Sequence, residues 1–192
     1  MASTTQAETS YGISDEVPTA WTIVPETAQL AWSAKKRYFM LIPVDARGSF
    51  SQVDGTITFH DESPTGARVE IQIPVASQSS GNKRRDEHLL SADFFDCAQY
   101  PEITFVSNDI RVADNRHQTY EVDGTLTVRG NAKSITLTGA FVPGNQSGRA
   151  HVSLSGNVNR QEFAITWKKE PMMKLFDEIV LTIEVDIVRG AI

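Results

Sequence analysis

At 192 residues, with 40% hydrophobic and 22% charged residues, the chain has a globular balance and length for one domain, two at most. Its net charge of −6 at pH 7 argues against a nucleic-acid partner, whose binding rests on Lys and Arg contacts to phosphate. The single cysteine, Cys97, excludes an internal disulfide, and no apolar run approaches the ~20 residues of a membrane-spanning helix.

Met1 to Thr19 is rich in Ser, Thr and Glu, holds no Lys or Arg, and lacks the apolar segment of a secretory signal. Residues 1–19 therefore read as a disordered tail on a cytoplasmic protein, and 20–190 as the folded domain. Strands are predicted at 29–38, 44–50 and 54–60, with a turn signal at Asp54-Gly55. Lys35-Lys36-Arg37 precedes Tyr38-Phe39-Met40-Leu41-Ile42, an apolar run that does not alternate: a loop at an entrance, or a core segment. After a turn at Ser63-Pro64-Thr65-Gly66, Val69, Ile71, Ile73 and Val75 alternate with Arg68, Glu70 and Gln72, the mark of a strand with one buried face.

That pattern stops at a long charged interruption. Asn82 is placed to cap a short helix over 83–90. The interruption runs from Arg85 and His88 on the helix through the pair Phe94-Phe95 to Tyr100-Pro101, and a strand resumes at 103–112. Lys83-Arg84-Arg85 reads either as a solvated helix start or as a cationic rim at a pocket. Alternation then returns at Tyr120, Val122, Leu126 and Val128, at Ile135, Leu137 and Phe141, and at Val152, Leu154 and Val158. The longest stripe is Ile179, Leu181, Ile183, Val185 and Ile187. Before it lies a second insertion, expected to be helical near 161–177, in which Phe163, Ile165, Trp167, Met172, Met173, Leu175 and Phe176 gather.

The eight or nine strands suit a sandwich or a barrel. Their length of 9–11 residues, and the glycines Gly124, Gly139 and Gly156 within them, favour an antiparallel barrel that curls closed. An eight-stranded barrel is wide enough for one small ligand. His60, His88, His117 and His151 show no ligand spacing, so no metal is expected; there is no phosphate loop and no nucleophile elbow.

Arg85-Asp86-Glu87-His88-Leu89, Asp93-Phe94-Phe95-Asp96 and Tyr100-Pro101-Glu102-Ile103-Thr104-Phe105 carry a specific resemblance. With Trp21-Thr22-Ile23, Gly48-Ser49-Phe50, Gly124-Thr125-Leu126-Thr127-Val128-Arg129-Gly130 and Asn159-Arg160-Gln161-Glu162-Phe163, they make the chain resemble the YceI-like family over residues 20–188. The resemblance implies an extended, lipocalin-like, eight-stranded antiparallel barrel. It implies a carrier or store, not an enzyme, for a polyisoprenoid, isoprenoid quinone or fatty-acid derivative. A homodimer and transient membrane contact belong to the same expectation, with no cofactor beyond the bound lipid. The chain departs from the family at Val24, Thr27 and Ala28, where an acid, His and Ser are frequent, and at Lys36, where a His is frequent.

Alternation and resemblance together nominate Trp32, Ile71, Ile73, Phe94, Phe105, Leu126, Phe141, Phe163, Trp167 and Phe176 as the ligand's apolar contacts, with Arg85, His88 and Lys36 at the mouth. Two other readings stay open. An enzyme acting on such a lipid would need His88 with Asp86 or Asp93, and an interaction module would have a filled core.

Overall fold

Strands with one apolar face can hide it by curling the sheet on itself. The computed structural model describes residues 19–38, 42–59, 63–114, 116, 118–167 and 173–190. Among them, one antiparallel sheet contains β1 (Thr19–Ile23), β2 (Gln29–Tyr38), β3 (Val44–Phe50), β4 (Asp54–Phe59), β5 (Arg68–Pro74), β6 (Gln78–Ser79), β7 (Glu102–Asp114), β8 (Thr119–Val128), β9 (Asn131–Pro143), β10 (Arg149–Asn159) and β11 (Met173–Arg189). Three staves of the sheet are bent. β1 and β2 flank a 3-10 turn at Pro25–Thr27, and β5 and β6 flank another at Val75–Ser77, each beside a proline that cannot donate to a ladder. β3 and β4 are separated by residues 51–53, so Asp54-Gly55 opens a strand and is not the turn expected there.

Eight staves thus run as a meander, each paired to the next. The last closes on the first: β11 meets β10 along one edge, and β2 and then β1 along the other. The result is a closed eight-stranded antiparallel barrel. The predicted stripes point inward, and Ile187, Val75 and Phe163 are at most 2% exposed.

The two ends differ. At one, short turns span 59–68, 114–119 and 143–149, and Trp21, Phe59 and Phe141 meet with ring centroids 5.5–6.4 Å apart. The other end carries the insertions. The helix α1 (Lys83–Leu90) is capped as expected, the Asn82 side chain accepting from the Arg85 N–H at 3.0 Å. Among the described residues of the second insertion, 161–167 and 173–177, no α-helix forms where one was expected near 161–177. A single 3-10 turn, Arg160–Phe163, ends at Ala164 with φ of 57°, and β11 is under way by Met173. The Ile165 and Trp167 carbonyls accept from the Arg160 guanidinium, at 2.5 and 3.2 Å.

Closure brings β9 and β10 together at Gly139, where a Cβ would lie 1.8 Å from the Ser153 carbonyl oxygen. Gly139→Ala must spread two staves, so urea denaturation should show a loss of at least about 2 kcal/mol.

On the outer face, His151 Nδ1 lies 2.7 Å from Asp186 and Nε2 2.9 Å from Glu184. The hydrogen bonds to Asp186 and then Glu184 hold its pKa above the ordinary 6.5. A raised folded-state pKa adds stability that is full below 6.5 and fades as pH rises through the raised value. The melting temperature of wild type should therefore exceed that of His151→Gln most clearly near pH 6, and the gap should close by about pH 9.

Candidate functional site

The interior is not a filled core. A continuous cavity of about 400 Å³ runs inside the barrel, from Phe59, Pro64 and Phe141 at the short-turn end to Tyr38, Arg85 and Met173 at the other. Its wall is almost wholly apolar. Small residues keep the β2–β3 side open: Ala34 faces Ala46, and Trp32 faces Gly48. A Cβ on Gly48 would lie 2.5 Å from the Trp32 ring, so the glycine lets the indole lie flat on the sheet. Gly124 does the same for Phe105, whose ring comes within 2.3 Å of the position a Cβ would take.

Of the thirteen residues the sequence nominates, the structure brings twelve to this wall: Trp32, Lys36, Ile71, Ile73, Arg85, His88, Phe94, Phe105, Leu126, Phe141, Phe163 and Trp167. Phe176 is not among them. Between Leu175 and Ile179 the ladder slips, three residues of β11 standing opposite Lys35 alone, and the Phe176 ring packs beneath Lys174 Nζ at 5.4 Å. Ala28, like Lys36 one of the positions that depart from the family pattern, also lies on the wall. Thr27, another, instead fastens its turn to the barrel: its hydroxyl donates to the Val24 carbonyl and accepts from the Asp186 N–H, each at 2.9 Å. Phe39–Leu41, His60, His117 and Met172 lie outside the described residues, as does most of the predicted tail.

The lid over the insertion end is built by backbone bonds. After α1, the Phe94 and Asp96 N–H groups both donate to the Ser91 carbonyl, and the Phe95 N–H to the Leu89 carbonyl. This tight fold, with Asp96 in the left-handed region at φ 53°, drives both phenylalanines toward the barrel. Phe95 meets Phe50 at 6.0 Å, while Phe94, His88 and Trp167 form a triangle with sides of 5.0–5.3 Å.

Two arginines missing from the nominated set hold the lid. Arg129, in the β8–β9 turn, reaches Asp96 at 3.8 Å and donates to the Ala164 carbonyl at 2.9 Å, joining both insertions. Arg160, 4% exposed, binds Asp177 at 2.8 Å besides the Ile165 and Trp167 carbonyls. The only signal for either was a charge inside a motif; their partners lie up to 35 residues away.

Of the ionisable wall residues, Lys36, Arg85, His88 and Arg160 lie at the lidded end, whereas Glu184 lies farther along β11 with its carboxylate on His151. Arg85 bonds Ser80 twice at 2.7 Å, and Asp86 accepts from the same Ser80. Desolvation raises the Asp86 pKa, but the hydrogen bonds from Ser80 and Ser79 outweigh it and hold the carboxyl below its ordinary value. His88 Nε2 lies 2.9 Å from Asp93, so of its two candidate carboxylates the structure pairs His88 with Asp93. Among the described residues, no group of three His, Cys, Asp or Glu could hold a metal, and no helix is long and apolar enough to cross a membrane.

The domain model that fits this chain is the YceI-like domain, matched over residues 21–187. The chain belongs to the YceI-like family. A UPF0312 protein of Yersinia enterocolitica is 31% identical over 141 residues, 71% of each chain. Among solved structures, the YceI protein of Campylobacter jejuni is 27% identical with a TM-score of 0.66, over 81% of this chain and 91% of that one. BcnA of Burkholderia cenocepacia, at 23% identity, shares the fold with a TM-score of 0.71 over 85% of this chain and 98% of its own. A polyisoprenoid binding domain of Saccharophagus degradans, 12% identical, shares it at 0.66 over 90% and 99%.

Replacing Arg160 by Met would strand buried carbonyls and release the 160–167 segment. Thermal or urea unfolding should show a loss of about 2–4 kcal/mol, with Trp167 emission shifting to the red.

Proposed function

We propose that this YceI-like protein binds a long-chain amphiphile inside the barrel and carries or stores it unchanged. The polyisoprenoid, isoprenoid quinone and fatty-acid classes all fit. The observation that supports this most is the continuous apolar cavity, whose basic wall residues Lys36, Arg85 and Arg160 lie at one end. The description of the Saccharophagus neighbour as a polyisoprenoid binding domain accords with it. The tail lies along the barrel and the head rests beside Arg85, His88 and Lys36. Staves of ~10 residues, tilted ~40°, give a tunnel of roughly 25 Å. Each buried CH₂ contributes ~0.8 kcal/mol until the tunnel is full, and ordering the chain takes part of this back. Affinity should therefore climb along a prenol series and level off once the chain outgrows ~25 Å. A homodimer that meets a membrane transiently is part of the same reading, and sedimentation of the purified protein checks the dimer.

The second reading, an enzyme acting on the lipid, is favoured by the 2.9 Å contact between His88 and Asp93. Native mass spectrometry of the protein from its own host, with organic extraction, tests the first. A long-chain lipid at near-stoichiometric level is expected; a clean mass with no uptake of quinones or prenols refutes it. Leu126→Trp, filling the wall, should abolish uptake in a folded protein, whereas His88→Ala should change affinity less than about tenfold. Turnover of the bound lipid that vanishes in His88→Ala would instead establish the enzyme.

A further inference from the structure

The end of β2, the start of β3 and the first residues of β11 run past the closed part of the barrel. There β11 pairs with β2 from Met173, whereas its pairing with β10 begins only at Glu178. Three of the exposed large apolar residues gather on this projection: Ile42 at 85%, Val44 at 49% and Tyr38 at 44%. Tyr38, Lys36, Met173 and Leu175 also wall the cavity, so the projection is continuous with the ligand site. Lys35 and Arg37 alternate with those wall residues along β2, and Lys174 stands opposite Arg37 on β11. Among the described residues none of these three cations meets a carboxylate, and nearby Asp45 is held by Arg47 at 2.8 Å.

We propose that this projection docks on an anionic lipid bilayer, with Ile42, Tyr38 and Val44 entering the interface and Lys35, Arg37 and Lys174 on the head groups, so that ligand passes between bilayer and barrel there. The proposal rests on the lipid-binding reading above. A chain of net charge −6 is repelled by an anionic surface as a whole, so a cationic, apolar-tipped end is the end that can approach. A second copy of the chain would present the same three cations and be repelled.

The test is flotation with vesicles of phosphatidylcholine alone, or with about one-third phosphatidylserine, with native mass spectra of the same preparations. Wild type should float with the anionic vesicles only, and less at high salt. Each cation is worth about fivefold, so Lys35→Ala/Arg37→Ala/Lys174→Ala should lower partitioning about a hundredfold. Ile42→Asp should lower it at least about tenfold, and Val142→Asp, at the far end, should not. Absence of flotation, flotation equal for all variants, or self-association lost in Ile42→Asp without vesicle binding would overturn the proposal. Lipid retained in the mass spectra would then leave the carrier reading standing; its absence from every preparation would remove both.

Discussion

The barrel depends on one strand having two neighbours in succession along a single edge. β11 is 17 residues long, and its free edge takes β2 over Met173–Glu184 and β1 over Ile187–Arg189. Between those stretches β1 and β2 are joined by the Pro25–Thr27 turn, pinned to β11 by the Thr27 hydroxyl. Were the edge left unpaired, eight amphipathic strands would form an open sheet with an exposed apolar face and an exposed ladder. Closure turns the same stripes into a lining.

Closure alone would leave the cavity open at the insertion end. There the fold uses long-range side-chain bonds instead of secondary structure, because the segments are too short and irregular to satisfy their own carbonyls. Arg129 and Arg160 supply donors in fixed forks that several carbonyls can share. Both sit at strand ends, so the lid inherits the rigidity of the barrel. Its inner surface is aromatic, Phe94, Phe95 and Trp167, with His88 as the polar exception.

Much of this was legible in the sequence, because inside and outside differ chemically and a strand samples them alternately. Ile179 to Ile187 could have no other meaning. Even the bulge in β7 is written there: Ile103 and Phe105 are odd, Ile110 is even, and the register slips between Ser107 and Asp109. The Asn82 cap was equally local. Phe176 was misplaced because its position is set by a slip against β2 that involves no break in its own apolar pattern. In the second insertion, the Ile165 and Trp167 carbonyls take their donor from the Arg160 side chain, a partner that local composition does not reveal. Lid contacts such as Arg129 with Ala164 join residues whose meeting is decided by closure, which no local pattern encodes.

The cavity survives because of the residues that do not fill it. Ala28, Ala34 and Ala46 occupy wall positions on β2 and β3 or beside them, where Leu or Phe would extend into the interior. In a core the cost of unfilled volume is about 24 cal/mol per Å³. On that scale, a 400 Å³ space is comparable with the whole stability of an ordinary domain, about 5–15 kcal/mol. A sequence selected for stability alone would fill it. Small residues kept on one flank, opposite Phe105, Leu126 and Phe163 on the others, are therefore explained by an occupant that supplies the missing contacts. Occupancy and stability are then one equilibrium: a ligand at a hundred times its Kd adds about 2.7 kcal/mol.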